Sequence, residues 1–163
     1  MNQHTLTRRG IITFALLLCC ALGIVFARAA TTHASTMPAL PTKHHIVFQV
    51  SANNPAIMNL ALNNIVNIDN YYTKLGETVQ IELVAYGPGL NMLLADTSPV
   101  KARIAQIKTS IPDVTFSACN VTLQTMEKQQ GKKLAILPEA RIVPAGVARL
   151  MTLEEEGWSY VKP

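Results

Sequence analysis

The chain has 163 residues and a formal net charge of +4, with 49% apolar and 15% charged residues. This length suits one domain plus a targeting segment, and the composition is too apolar for a disordered chain. Arg8, Arg9 and Arg28 account for most of the net charge; without them the chain is nearly neutral and has no electrostatic footprint for nucleic acid.

Met1 to Gly10 is polar and contains Arg8 and Arg9, and Ile11 to Ala27 is apolar and uncharged. Ala27-Arg28-Ala29 then places small residues where a signal peptidase reads. This layout predicts a signal peptide over residues 1–29 and a periplasmic product, free of the membrane once cleaved. An uncleaved anchor is the rival reading, although the run reaches only the lower end of the roughly 17–25 residues that span a bilayer. Thr7-Arg8-Arg9-Gly10-Ile11-Ile12 is compatible with either the general or the twin-arginine route. Cys19 and Cys20 follow leucines in mid-run and read as apolar filler. Residues 30–43, rich in Thr, Ala, Ser and Pro, read as a flexible linker.

The domain, 44–163, opens on a buried strand, His45 to Val50. Asn53-Asn54-Pro55 caps a helix in which Ile57, Ala61, Ile65, Ile68, Tyr72 and Leu75 recur at helical spacing, with Gly76 as its stop. Asn59 and Asn63 share a face of it, which reads either as solvated or as a polar contact between subunits. Thr78 to Tyr86 alternates as a second strand, broken by Gly87-Pro88-Gly89. Leu90 to Ala95 can form a short helix, and Ser98-Pro99 starts another bearing Val100, Ile104 and Ile107. Val114 to Ala118 is a third strand leading into Cys119-Asn120, and Val121 to Gln130 is helical. Arg141 to Val143 is a short strand, Val147 to Glu156 a helix with Gly157 as its cap, and Trp158 to Val161 the last strand. Alternation of strand and helix predicts a flavodoxin-like, doubly wound α/β domain with a mainly parallel five-stranded sheet and helices on both faces.

Ligands of such sheets bind beyond the carboxyl ends of the strands. That rule gathers Ser51–Asn54, Tyr86–Gly89, Cys119–Thr122 and Pro144–Gly146 along one edge. Cys119 is the strong nucleophile among them, and a helix N-terminus favours its thiolate. Backbone N–H groups of Asn120, Val121 and Thr122 are the expected donors to an anionic sulfur; a packed, inert cysteine is the alternative. Once the signal is removed, Cys119 has no partner for an intramolecular disulfide. Tyr86, Gly87, Pro88 and Gly89 would shape a binding cleft, as would Pro144 and Gly146; each glycine turn could equally serve the fold alone. Gly87-Pro88-Gly89 lacks a phosphate-loop pattern, so no cofactor is expected. His44 and His45 have no spaced set of further ligands, so no metal is expected either.

Several stretches together resemble a known family: His45-Ile-Val-Phe-Gln-Val-Ser, Asn59-Leu-Ala-Leu-Asn-Asn, Val84-Ala-Tyr-Gly-Pro-Gly-Leu, Phe116-Ser-Ala-Cys-Asn, Val143-Pro-Ala-Gly-Val and Gly157-Trp-Ser-Tyr-Val-Lys-Pro. They resemble the DsrE/DsrF-like family, and more narrowly its exported single-domain branch, over residues 44–163. The resemblance implies the same α/β fold, a homo-oligomer (a trimer or larger), and a sulfur relay in which Cys119, after the third strand, would hold a persulfide between a donor and an acceptor protein. Asn120 and Thr122 would orient the sulfur. The chain departs from the branch after the cysteine, where Asn120-Val121-Thr122 stands in place of a Gly-Asn-Thr type of sequence. Export argues against transfer to tRNA. A non-catalytic binding or assembly module is the alternative function.

Overall fold

The computed structural model describes residues 43–163. The expected signal peptide over residues 1–29, with Cys19 and Cys20, and the expected linker as far as residue 42 lie outside the described residues. Lys43, assigned to the linker from sequence, already belongs to the first strand.

The elements are β1 (Lys43–Val50), α1 (Pro55–Leu75), β2 (Thr78–Ala85), a 3₁₀ segment (Gly87–Leu93), α2 (Lys101–Ser110), β3 (Thr115–Cys119), α3 (Asn120–Gln130), β4 (Ala140–Val143), α4 (Gly146–Glu155) and β5 (Ser159–Val161). The five strands form one sheet in the order β4-β3-β2-β1-β5, and every pairing is parallel. Parallel neighbours need crossovers, and the four α-helices supply them.

Local chemistry sets the helix limits. Asn54 caps α1, its Oδ1 accepting from the N–H of Ala56 at 2.8 Å, and Pro55 fills the first helical position. Gly76 closes the helix in the left-handed conformation. The buried stripe is Met58, Ala61, Leu62 and Ile65, whereas Leu75, expected inside, is exposed. The helix expected from Ser98-Pro99 begins instead at Lys101, because the Ser98 hydroxyl donates to the Met92 carbonyl at 2.5 Å and accepts from Val100 N–H at 3.3 Å. These bonds stabilise a turn in place of a cap. The short helix expected over Leu90–Ala95 is the 3₁₀ segment that begins at Gly87.

The two faces of the sheet are covered unequally. On one, Phe48, Val50, Ile81, Leu83, Phe116 and Ala118 pack beneath α1, α2, α3 and the 3₁₀ segment in one continuous core. On the other, α4 is the one helix among the described residues that supplies cover, and Leu150 and Leu153 meet Val47 and Val84 beside Tyr86 and Trp158. Side chains alternate along a strand, so this second face also bears Gln49, Glu82, Ser117 and Cys119, which are buried. Asn59 and Asn63 of α1, read as a solvated face or a polar contact between subunits, have a partner within the chain. Arg103 of α2 donates to Asn59 Oδ1 at 2.8 Å and also bonds Asn63, joining the two helices.

Candidate functional site

Cys119 ends β3 and is also the N-cap of α3, in an extended conformation. A side chain at this position faces the free N–H groups of the second and third helical residues. Those residues are Val121 and Thr122. Burial pushes the Cys119 thiol up, but the Thr122 side chain and the N–H groups of Gly146, Thr122 and Val121 outweigh it and hold the thiol below its ordinary value. No tight capping hydrogen bond forms to the sulfur. The donors act through their orientation, which favours the charged thiolate over the thiol. The sulfur is recessed, with the residue only 5% exposed. Asn120, an expected donor, is not among these groups. It is the first residue of α3, and the N-cap geometry aims the next two N–H groups at the cap side chain.

The strand ends bring the other expected residues to this point unevenly. Gly87, at φ +53°, donates its N–H to Thr122 Oγ1 at 2.9 Å, so the turn after β2 is tied to the first turn of α3. Gly146 begins α4 against both neighbours: a Cβ there would lie 3.0 Å from Tyr86 Cβ and 3.2 Å from Cys119 Cβ. Thr122 and Gly146 therefore flank Cys119, with Gly87 tied to the first and Tyr86 packed against the second. Gly89 serves a different purpose. A Cβ on it would come within 2.5 Å of the Val50 carbonyl oxygen, so glycine is needed for the close packing of two strand ends. Pro88 and Pro144 are exposed and sit in the walls of two separate cavities.

One of these is a cleft of about 470 Å³ between the β2 turn and α3, lined by Asn53, Gly87, Pro88, Val121, Thr122 and Met126 among others. The other is a groove of about 350 Å³ between β4 and α4, lined by Pro144 and Ala145 with Arg141 and Arg149. Cys119 lines neither; its neighbour Thr122 lines the cleft, and Ala145, next to Gly146, lines the groove.

Two polar constellations beside Cys119 were not anticipated from the sequence. In the first, the Gln49 amide donates to Tyr86 Oη at 2.5 Å and to Ser51 Oγ at 3.2 Å, while Tyr160 donates to Gln49 Oε1. In the second, the Glu82 carboxylate, 2% exposed, accepts from Ser117 Oγ at 2.6 Å, Arg149 Nε at 3.0 Å, Arg149 Nη2 at 2.7 Å and Arg141 Nη2 at 2.9 Å. Burial pushes the Glu82 carboxyl up, but the Arg149 and Ser117 hydrogen bonds and both positive charges hold it below the usual carboxylate range. The signal that could have found it is its place on β2: a carboxylate in mid-strand of a sheet buried on both faces needs partners.

The paired histidines have local partners at the other end of the strands. His44 bonds Glu77 at 2.7 Å and stacks on Tyr72, and His45 stacks on Trp158. Among the described residues, no group of three or more His, Cys, Asp or Glu side chains is placed to hold a metal.

No family model matches the sequence, and no curated protein matches it. Among solved structures, the chain is similar to the protein of unknown function MTH1491 from Methanobacterium thermoautotrophicum. The TM-score is 0.63 at 27% identity, over 74% of this chain and 99% of that one.

Proposed function

We propose that this chain is a periplasmic sulfur carrier of the DsrE/DsrF-like kind, in which Cys119 holds sulfane sulfur as a persulfide. The observation that carries the reading is the place of Cys119: it is the N-cap of α3 with the start of α4 packed against it at Gly146, and its surroundings hold the thiol below its ordinary value. Thiolate is the species that attacks sulfur, and these surroundings favour it. The persulfide is likewise an anion and would meet the same surroundings.

In the loading step, the Cys119 thiolate attacks the outer sulfur of a donor persulfide. A new S–S bond forms to Cys119, the donor's own S–S bond breaks, and the donor leaves as a thiolate with that electron pair. In unloading, an acceptor thiolate attacks the outer sulfur and Cys119 leaves as a thiolate. No net oxidant is needed. Thr122, anchored by Gly87, orients the sulfur, and the cleft lined by Pro88 and Val121 is the approach for the donor. The apolar residues left exposed on α1 and α4, namely Leu60, Tyr71, Leu75, Val147 and Met151, support a homo-oligomer that would cover them.

Intact mass spectrometry after incubation with inorganic polysulfide tests the carrier. The expected gain is about 32 Da per sulfur atom added at the thiolate, absent in Cys119→Ser. No gain, or a gain that survives the substitution, overturns the proposal. The low exposure of Cys119 favours a second reading, a binding or assembly module with a packed cysteine. A small alkylating reagent separates the two: a relay thiol reacts in the native state, whereas a packed one reacts only on unfolding.

A further inference from the structure

The Glu82 carboxylate takes no part in the sulfur chemistry, yet its partners come from the elements that build the Cys119 site. Ser117 precedes Cys119 by two residues on the same face of β3 and donates to Glu82 Oε1 at 2.6 Å. Arg149 reaches the carboxylate from α4 with two arms of its fork, Nε at 3.0 Å and Nη2 at 2.7 Å. Arg141 reaches it from β4 through Nη2 at 2.9 Å. The Glu82 side chain is 2% exposed and that of Arg149 26%, so this fork lies largely out of water. The Glu82 hydrogen bonds and charge, and more weakly the Glu156 charge, push the Arg149 guanidinium up, so it stays charged throughout.

Arg149 is also placed to govern where α4 begins. Its backbone N–H donates to the carbonyl of Ala145, the N-cap, at 3.0 Å, closing the turn that contains Gly146. Gly146 is where α4 meets the site: a Cβ there would lie 3.2 Å from Cys119 Cβ. The groups that act on the thiol belong to Thr122, Gly146 and Val121, none of them charged. Their effect depends on where their dipoles point, and a small shift of the first turn of α4 weakens it. Leu150 and Leu153 hold α4 to the sheet by apolar contact, which is non-directional and permits sliding. A bidentate guanidinium–carboxylate pair fixes distance and angle together.

We propose that Glu82 is a positioning residue for Cys119, acting through the Arg149 fork to hold the start of α4, at Gly146, against the sulfur. The carboxylate registers α4 on β2 and β3, and the thiolate preference of Cys119 depends on that register. The inference rests on the reading of Cys119 as the reactive group of the site, and not on sulfur being its cargo.

The test is the rate of Cys119 alkylation by iodoacetamide against pH, read by mass spectrometry on the peptide that contains Cys119. The pH midpoint reports the thiolate preference, and the plateau rate reports access. Arg149→Lys keeps the charge on α4 but replaces the fork by a single ammonium. Its midpoint is expected to rise by about half a unit, which leaves roughly threefold less thiolate at a pH below it. Arg141→Lys makes the same exchange on the same carboxylate but leaves the α4 fork whole, and its midpoint is expected to stay at the wild-type value. Glu82→Gln frees the fork and should move the midpoint up, whereas loss of a negative charge alone would move it down. If Glu82→Gln does not fold, the lysine pair decides alone. An unmoved midpoint in Arg149→Lys, equal shifts in the two lysine variants, or a downward shift in Glu82→Gln overturns the inference. A thiol that reacts only on unfolding gives one midpoint for every variant and overturns it as well. Midpoints displaced as expected in a protein that gains no sulfur overturn the carrier and leave the positioning role standing; sulfur loading with unmoved midpoints does the reverse.

Discussion

Replacing Glu82 by Gln tests whether the second face of the sheet depends on a single buried carboxylate. The side chain accepts four hydrogen bonds, two of them from Arg149. An amide of the same shape keeps one oxygen and turns an NH2 group toward guanidinium donors, so at least one bond is replaced by a donor–donor clash. Both guanidiniums also lose their countercharge. Removing one partner of a buried ion pair costs about 3–5 kcal/mol. Both arginines reach water in part, which returns some solvation, so the lower end applies, about 3 kcal/mol. A domain with about 5–15 kcal/mol of stability survives that loss. The assay is urea unfolding followed by fluorescence of Trp158, the one tryptophan of the chain, which packs in the α4 cluster. The pH dependence fixes the sign. The folded Glu82 carboxyl is held below its unfolded value, so its contribution is present above the unfolded value of about 4.3. It is lost as pH falls through the folded value. The gap between wild type and Glu82→Gln should therefore close on acidification below about pH 4. A gap under about 1 kcal/mol at pH 7, or one that does not narrow in acid, refutes the reasoning.

Two further outcomes follow from the site. Thr122→Val removes a hydroxyl that favours the Cys119 thiolate; the pH midpoint of alkylation should move up, while Thr122→Ser should restore it, and an unchanged midpoint for Val removes Thr122 from the orienting role. Gly89→Ala forces a Cβ against the Val50 carbonyl, which is backbone and cannot rotate away; a loss of about 2–3 kcal/mol is expected in urea unfolding, and a loss below about 0.5 kcal/mol would show that the two strand ends are not so tightly joined.

Features governed by neighbours in the chain were legible in the sequence. The Asn54-Pro55 start and Gly76 stop of α1 depend on capping chemistry within a few residues, and the strands on local alternation. The gathering of Tyr86, Gly87, Cys119 and Gly146 was legible too, because parallel strands bring their carboxyl ends to one edge. Ser98 was misread because a hydroxyl that suits a helix cap suits a turn equally well. Glu82 was passed over because its partners lie 59 and 67 residues away, and a carboxylate in an alternating strand reads as solvent-facing. Arg103 was missed as the partner of Asn59 for the same reason, being 44 residues distant. Which strand lies beside which leaves no trace in periodicity.

That strand order has a consequence for how the chain folds. From β1 to β4 each new strand is laid down beside its predecessor, so the first face can grow by contacts of modest separation. β5 must return to the opposite edge beside β1, and Tyr160 meets Gln49 across 111 residues of sequence. Closing so long a loop carries the largest entropy loss in the domain, and only three residues of strand pairing follow from it. Contacts of this kind form late and open early. The α4–β5 segment is thus the natural low-stability unit. When it opens, Glu82 and Gln49 meet water while the core beneath α1, α2 and α3 stays closed, and amide exchange in Ser159–Val161 should run well ahead of exchange in β2.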